Sequence, residues 1–158
     1  MSGDKELKAS DKLAEHIALI NDYINMSNTK FSSFREEYFI VADLSLEQLR
    51  QSTQSELFDS AYLLYGYATY IQDEINKNKV ALNWCNDQME KLIAKHSDEF
   101  GQYTKHESKK HILAKNNSYA ASLENMREVA EARLQSLDGK VFELKRKADI
   151  LLEKGKRS

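Results

Sequence analysis

A hydrophobic seam of unusual regularity runs through the middle of this chain. It consists of Leu57, Ala61, Leu64, Ala68, Ile71, Ile75, Asn78, Leu82, Cys85, Met89, Leu92 and His96, with steps that alternate four and three for almost six heptads. That period keeps one stripe of a helix turned toward a partner helix along its whole length. At about 1.5 Å per residue the element is roughly 60 Å long, far beyond an average globular helix. A rod with a single apolar stripe needs another rod beside it. The pattern therefore constrains assembly strongly and chemistry weakly.

The second rod is legible further on. Ala130, Leu134, Leu137, Val141, Leu144, Ala148 and Leu151 form a clean seam, with Tyr119, Leu123 and Met126 leading into it. The spacing predicts a helix from about Ser118 to Glu153, with a stutter near Ala130 where two four-residue steps follow one another. Folding it back on the first rod sets His96 near Asn117 and Leu57 near Lys156. The expected fold is all-α: a long antiparallel helical hairpin, coiled-coil-like, with shorter N-terminal helices packed on it. The 158 residues contain no proline and only five glycines, which favours helices over sheets with their turn chemistry. A single domain is expected, with N-terminal helices in 1–54, a long helix in 55–97, a turn and short basic helix in 98–116, and a long helix in 117–155.

Local signals fill in the rest. Leu13, Ile17, Ile20 and Ile24 predict a first helix from about Asp4 to Asn25, interrupted by Asn25-Met26-Ser27-Asn28-Thr29-Lys30. Phe31, Phe34, Tyr38, Phe39 and Val41 read as helical, although Tyr-Phe-Ile-Val suits a strand equally. Ser45 with Gln48 makes a capping box for a helix through about Gln51, and Thr104 with Glu107 makes another for a helix from Lys105 to about Lys115. Asn116-Asn117 marks the boundary beyond it. Gly66, inside a long helix, signals close packing. Asn78, a polar residue on a heptad seam, is of the kind that fixes register or oligomer state.

Chemistry is sparse. There is no glycine-rich phosphate loop, no His-Glu-x-x-His pattern and no paired-cysteine site. His16, His96, His106 and His111 are scattered, and the five-residue gap of the last two fits one helix face poorly. The expectation is no catalytic residue, no metal site and no cofactor, hence no enzyme. Cys85, the only cysteine, lies on the seam and reads as a small core residue. One cysteine suits a reducing compartment, no apolar run approaches ~20 residues, and the opening residues lack an apolar signal core, so a cytoplasmic chain with no membrane association is expected.

Charge is the remaining clue. The chain carries 23 bases and 25 acids, a net charge of −2. Residues 1–50 balance at −3, residues 51–100 at −4 and residues 101–158 at +5. The basic third has two dense parts, Lys105, His106, Lys109, Lys110, His111 and Lys115, then Lys140, Lys145, Arg146, Lys147, Lys154, Lys156 and Arg157. Such clusters either bind polyanions with a salt-sensitive attraction or form a solvated helix face. In the antiparallel arrangement Tyr62, Tyr65, Tyr67 and Tyr70 share an end with the C-terminal cations, and tyrosines beside cations are the ingredients of a single-strand stacking groove. Phe58, Tyr62 and Tyr65 are expected instead to pack against the N-terminal helices; for Tyr67 and Tyr70 both readings stand. Phe31, Phe34, Phe39, Tyr67 and Trp84 present more apolar surface than a slim hairpin hides, which predicts a homo-oligomer.

The layout resembles the small phage recombination mediators of the UvsY type. The resemblance covers roughly 45–157. It rests on the Leu46-Glu47-Gln48-Leu49 to Leu57 entry, the long Tyr62-to-Glu90 helix, the Thr104-Lys105-His106-Glu107 turn, and the last heptads through Lys145-Arg146-Lys147-Ala148-Asp149-Ile150-Leu151-Leu152. It implies a non-enzymatic, ring-forming protein that binds single-stranded DNA. Such a protein helps load a RecA-like recombinase onto strands covered by single-strand-binding protein. Basic residues make the DNA contacts in that family. The matching candidates are Lys105, Lys109, Lys110 and Lys115, followed by Lys145, Arg146 and Lys147; Tyr67 and Tyr70 are stacking candidates by the antiparallel arrangement alone. The net charge departs from the basic character such a mediator is expected to have. The alternative reading is an oligomeric coiled-coil scaffold, adaptor or phage assembly chaperone with protein partners only, whose basic third meets an acidic protein.

Overall fold

The computed structural model describes residues 8–26, with side chains through 19, and residues 36–158. Every regular element among them is helical: α1 (Ala9–Met26), α2 (Glu36–Ala42), α3 (Leu46–Gln51), α4 (Gln54–Lys95), a single 3-10 turn at Ser97–Glu99, α5 (His106–Asn116), α6 (Ser118–Leu137) and α7 (Lys140–Lys156). No helix among the described residues is long and apolar enough to cross a membrane. The stretch with strand vocabulary is helical in α2, which carries Tyr38, Phe39 and Val41; Phe31 and Phe34 lie outside the described residues, as do Asp4 and 27–30.

The long rod is present as one helix of 42 residues. Its start is set by a capping box: the Thr53 hydroxyl accepts from Glu56 N–H at 3.2 Å, and the Glu56 carboxylate accepts from Thr53 N–H at 3.4 Å. The Ser45–Gln48 box that opens α3 is formed in the same reciprocal way, at 3.2 and 2.8 Å. Thr104–Glu107 is different. Lys105 caps α5 without any side-chain hydrogen bond, while Thr104 N–H closes a turn onto the Gly101 carbonyl at 3.0 Å. With the chain committed to that turn, the box expected there is not made. Asn117 closes α5 and opens α6, its side-chain oxygen accepting from Ala120 N–H at 3.1 Å.

The second rod is not one helix. α6 ends at Leu137 and α7 begins after Gly139, whose φ is +77°. A left-handed residue cannot continue an α-helix, and glycine adopts that conformation without the penalty a Cβ brings. Asp138-Gly139 therefore breaks the expected Ser118–Glu153 helix, although Leu137, Val141 and Leu144 keep their heptad spacing across the break. The local dipeptide outweighs the periodicity because it acts on the backbone itself.

The described chain divides into two compact units, each using part of α4. The first contains α1 and Lys77–Gln135. Met89 and Ile93 pack there with Leu113, Ala120 and Leu123, with Ala9 in the same cluster. Earlier in α4, Ala81 and Leu82 meet Ala130, Met126 and Leu13. Late α4 beside early α6, and earlier α4 beside later α6, is the antiparallel pairing. The Tyr119 hydroxyl donates to Gln88 at 3.3 Å within it. Trp84 packs against both clusters. Burial holds the Cys85 thiol above its ordinary pKa, as expected of a core residue.

The second unit contains α2, α3, α4 through Asn76, and Ser136–Ser158. Leu57, Ala61, Leu64, Ala68 and Ile71 form its core with Val41, Leu144, Ala148 and Leu151. Antiparallel pairing recurs: Gln54 Nε2 donates to the Gly155 carbonyl at 2.8 Å, and the Tyr65 hydroxyl donates to Asp149 Oδ1. Two glycines mark close approaches. A Cβ on Gly66 would meet the Tyr38 hydroxyl at 3.1 Å and its ring at 3.3 Å, and one on Gly155 would meet Phe58 Cε1 at 2.7 Å.

Three of the aromatic residues differ from expectation. Phe58 lies against Gly155 of α7 rather than an N-terminal helix, Tyr65 bonds α7, and Tyr62 stays 77 % exposed. The tyrosine that does meet the N-terminal helices is Tyr67, stacked on Tyr38 with centroids 5.4 Å apart. The reason is geometric: α7 occupies the seam side of α4, and α2 takes the flank that Gly66 and Tyr67 present. Of the residues expected to leave apolar surface, Tyr67 and Trp84 are packed, while Phe39 remains 44 % exposed.

Candidate nucleic-acid interface

The residues singled out for DNA binding fall into the two units separately. Lys105, Lys109, Lys110 and Lys115 belong to the first; Tyr67, Tyr70, Lys145, Arg146 and Lys147 belong to the second.

In the first unit the lysines are carried by α5, which is anchored by Leu113, 2 % exposed. With Leu113 inward, helical geometry puts Ser108, Ile112 and Lys115 on the outer face, and Lys105 extends that stripe at spacings of three, four and three. Lys105 and Lys115 are exposed, about 15 Å apart along the axis, and neither pairs with an acid among the described residues. Lys109 and Lys110 flank the buried side and are half-buried. The Lys109 ammonium lies over the Phe100 ring, 5.8 Å from its centroid, and Lys110 stands 4.0 Å from Glu107. His106 reaches Glu90 of α4 at 2.6 Å and ties the start of α5 to the rod. Lys105–Asn116 holds four lysines against one carboxylate, Glu107.

The loop into α5 adds a residue that sequence reasoning missed. Tyr103 is 91 % exposed, the most exposed of the large apolar side chains described, and it stands two residues before Lys105. A signal existed: Tyr103 sits in a break between helices, where no seam demands its ring. An aromatic ring held in solvent beside cations is what a base stacks on.

In the second unit the two tyrosines are built into packing. Tyr67 stacks on Tyr38, meets Phe39 edge-on at 5.7 Å and stacks on Tyr70 at 6.4 Å. Burial, with smaller contributions from Tyr70 and Asp43, raises the Tyr67 phenol above its ordinary pKa. Lys145, Arg146 and Lys147 are exposed on α7. The Lys147 ammonium donates to the Ala42 carbonyl at 3.5 Å, a cation at the C-terminal end of α2 where the helix dipole favours one. Along α7 the cations alternate with Glu143, Asp149 and Glu153, whereas Lys105–Asn116 sets four lysines against Glu107 alone. No cluster of three or more His, Cys, Asp or Glu side chains able to hold a metal occurs among the described residues.

No protein-family model matches this chain, and neither a curated protein nor a solved structure matches it.

Proposed function

We propose that this protein is a non-enzymatic, cytoplasmic recombination mediator that binds single-stranded DNA and helps load a RecA-like recombinase. Tyr103 carries the reading: it is 91 % exposed and leads directly into a helix whose outer face bears Lys105 and Lys115. Phosphate neutralisation by the lysines supplies affinity, and Tyr103 supplies a sequence-tolerant stacking surface. The resemblance in element order to phage mediators supports the recombinase and single-strand-binding protein as further partners. The candidates of the second unit, Lys145, Arg146, Lys147, Tyr67 and Tyr70, rank lower, because the rings are engaged in packing and the cations alternate with acids.

A labelled single-stranded oligonucleotide titrated across a salt series tests this. Replacing Lys105, Lys109, Lys110 and Lys115 together by alanine weakens binding and flattens the salt slope by about 2 to 3 units. Tyr103→Ala weakens binding by about 1–3 kcal/mol with little change in slope, because stacking releases few ions. Absence of binding at low salt rejects the reading. The alternative, an oligomeric scaffold or assembly chaperone with protein partners only, is favoured by one observation: the mixed-charge outer face of α7 leaves Phe142 68 % and Ile150 58 % exposed, which suits a protein contact better than a phosphate backbone.

A further inference from the structure

Tyr38 and Val41 are the buried residues of α2. Helical geometry then puts Glu36, Phe39 and Ile40 on its outer face, and Asp43, directly after the helix, extends that stripe. Ile40 is 64 % exposed. Phe39 meets Tyr67 edge-on and still keeps 44 % of its surface in water. Three residues past Asp43, Leu46 opens α3 at 70 % exposure. A single exposed apolar side chain needs no explanation. Here three fall within seven residues, and acids surround them.

Residues 36–49 hold four acids, Glu36, Glu37, Asp43 and Glu47, and no base. All four are exposed, and none pairs with a base among the described residues. Lys147 of α7 reaches this stretch only at the Ala42 carbonyl. A surface of this kind repels a polynucleotide or an anionic lipid surface, since both carry its own sign of charge. It suits a ligand with an apolar stripe between cations. We propose that the α2–α3 surface docks a basic amphipathic helix of another protein, with that helix's apolar side chains against Phe39, Ile40 and Leu46 and its lysines or arginines against the four carboxylates. α2 is about 10 Å long, so the contact falls well short of the roughly 1,200 Å² of a stable interface and the complex is transient. The docking surface belongs to the second unit and α5 to the first, and the two carry opposite charge.

The test titrates the full chain into a short labelled peptide of leucine and lysine whose leucines all fall on one helical face, read by fluorescence anisotropy. A peptide of the same composition with its leucines spread around the helix is the control. The amphipathic peptide is expected to bind about tenfold tighter than the control, and Ile40→Lys and Leu46→Lys each weaken it by about tenfold. Both positions are exposed, and helicity by circular dichroism confirms that the variants are folded. Asp43→Lys weakens binding less, and its effect shrinks as salt is added. Phe142→Lys and Ile150→Lys, on α7, leave the affinity at the wild-type value. Equal binding of the two peptides overturns the proposal, because charge alone would then account for it. So does a loss confined to the α7 variants. Self-association of wild type in sedimentation equilibrium that Ile40→Lys and Leu46→Lys abolish also overturns it, since a second copy would then cover this surface. Oligonucleotide binding is expected to be unchanged in Ile40→Lys and Leu46→Lys, so failure here and failure of the α5 reading are told apart.

Discussion

From Leu57 to Ile71 the seam of α4 is filled by Leu, Ala and Ile, all of them buried, whereas from Asn78 to Met89 it holds an amide, a thiol and a thioether as well as Leu82. The first stretch meets Leu144, Ala148 and Leu151 of α7, with Gly66 and Gly155 admitting aromatic rings at close range. The second meets α6, where Glu124 and Arg127 are paired at 3.3 Å with Glu124 Oε1 and Arg127 Nε buried and without hydrogen-bond partners among the described residues. The same heptad rhythm thus supports an apolar core in one unit and an equally buried but more polar one in the other. Periodicity decides which face is inward. Residue identity decides how much that face contributes.

The largest expected effect tests whether the two units are energetically distinct. Leu64→Ala removes a side chain that is 1 % exposed and should lower stability by about 2–5 kcal/mol. Trp84 is the sole tryptophan and lies in the first unit, so its fluorescence reports that unit while far-ultraviolet dichroism reports all helices. The dichroism midpoint is expected to fall more than the fluorescence midpoint. Equal shifts would mean the halves unfold together and the contrast is one of composition alone.

A smaller effect is expected at the break in the second rod. Gly139→Ala forces a Cβ into a left-handed conformation at about 1–2 kcal/mol, although nothing lies within 4 Å of the added atom. A stabilised Gly139→Ala variant would show instead that α6 and α7 merge into one helix once glycine is gone.

Caps give a paired test of similar scale. Thr53→Ala loses a formed box and should destabilise by about 1 kcal/mol, whereas Thr104→Ala should change stability little because its box is not made. Comparable losses in the two variants would contradict the geometry at Lys105.

The smallest effects are set by titration. The hydrogen bond to Asp149 is the main cause that raises the Tyr65 phenol above its ordinary pKa of 10.0. A phenol whose pKa rises on folding contributes stability that is complete below the unfolded value and lost as pH climbs through the folded one. Tyr65→Phe should therefore narrow the stability difference between wild type and variant above pH 10 relative to neutral pH. In the other unit the raised Cys85 thiol should react with a disulfide reagent far more slowly in the native protein than after denaturation. Fast native labelling would show that this more polar core opens on its own.

Much of this fold is legible in the residues alone. Repeating heptads, the absence of proline, and the Ser45 and Asn117 caps state local preferences, which the backbone obeys whatever surrounds it. Gly139 was equally readable, since Asp-Gly acts on φ directly, but the unbroken spacing of Leu137, Val141 and Leu144 masked it. The lysines of α5 stood out by charge, and Tyr103 stood in plain view between helices. What the sequence could not decide was partnership. Phe58, Tyr65, Tyr67 and Tyr70 differ little as residues, and all sit on one helix. Only the placement of α7 along the seam and α2 on its flank sent one ring to Gly155, one hydroxyl to Asp149 and two rings into a stack. An apolar or aromatic side chain specifies that it be covered, not by what; the covering element comes from the packing of the whole chain, because burial is a non-directional force that many neighbours satisfy equally well.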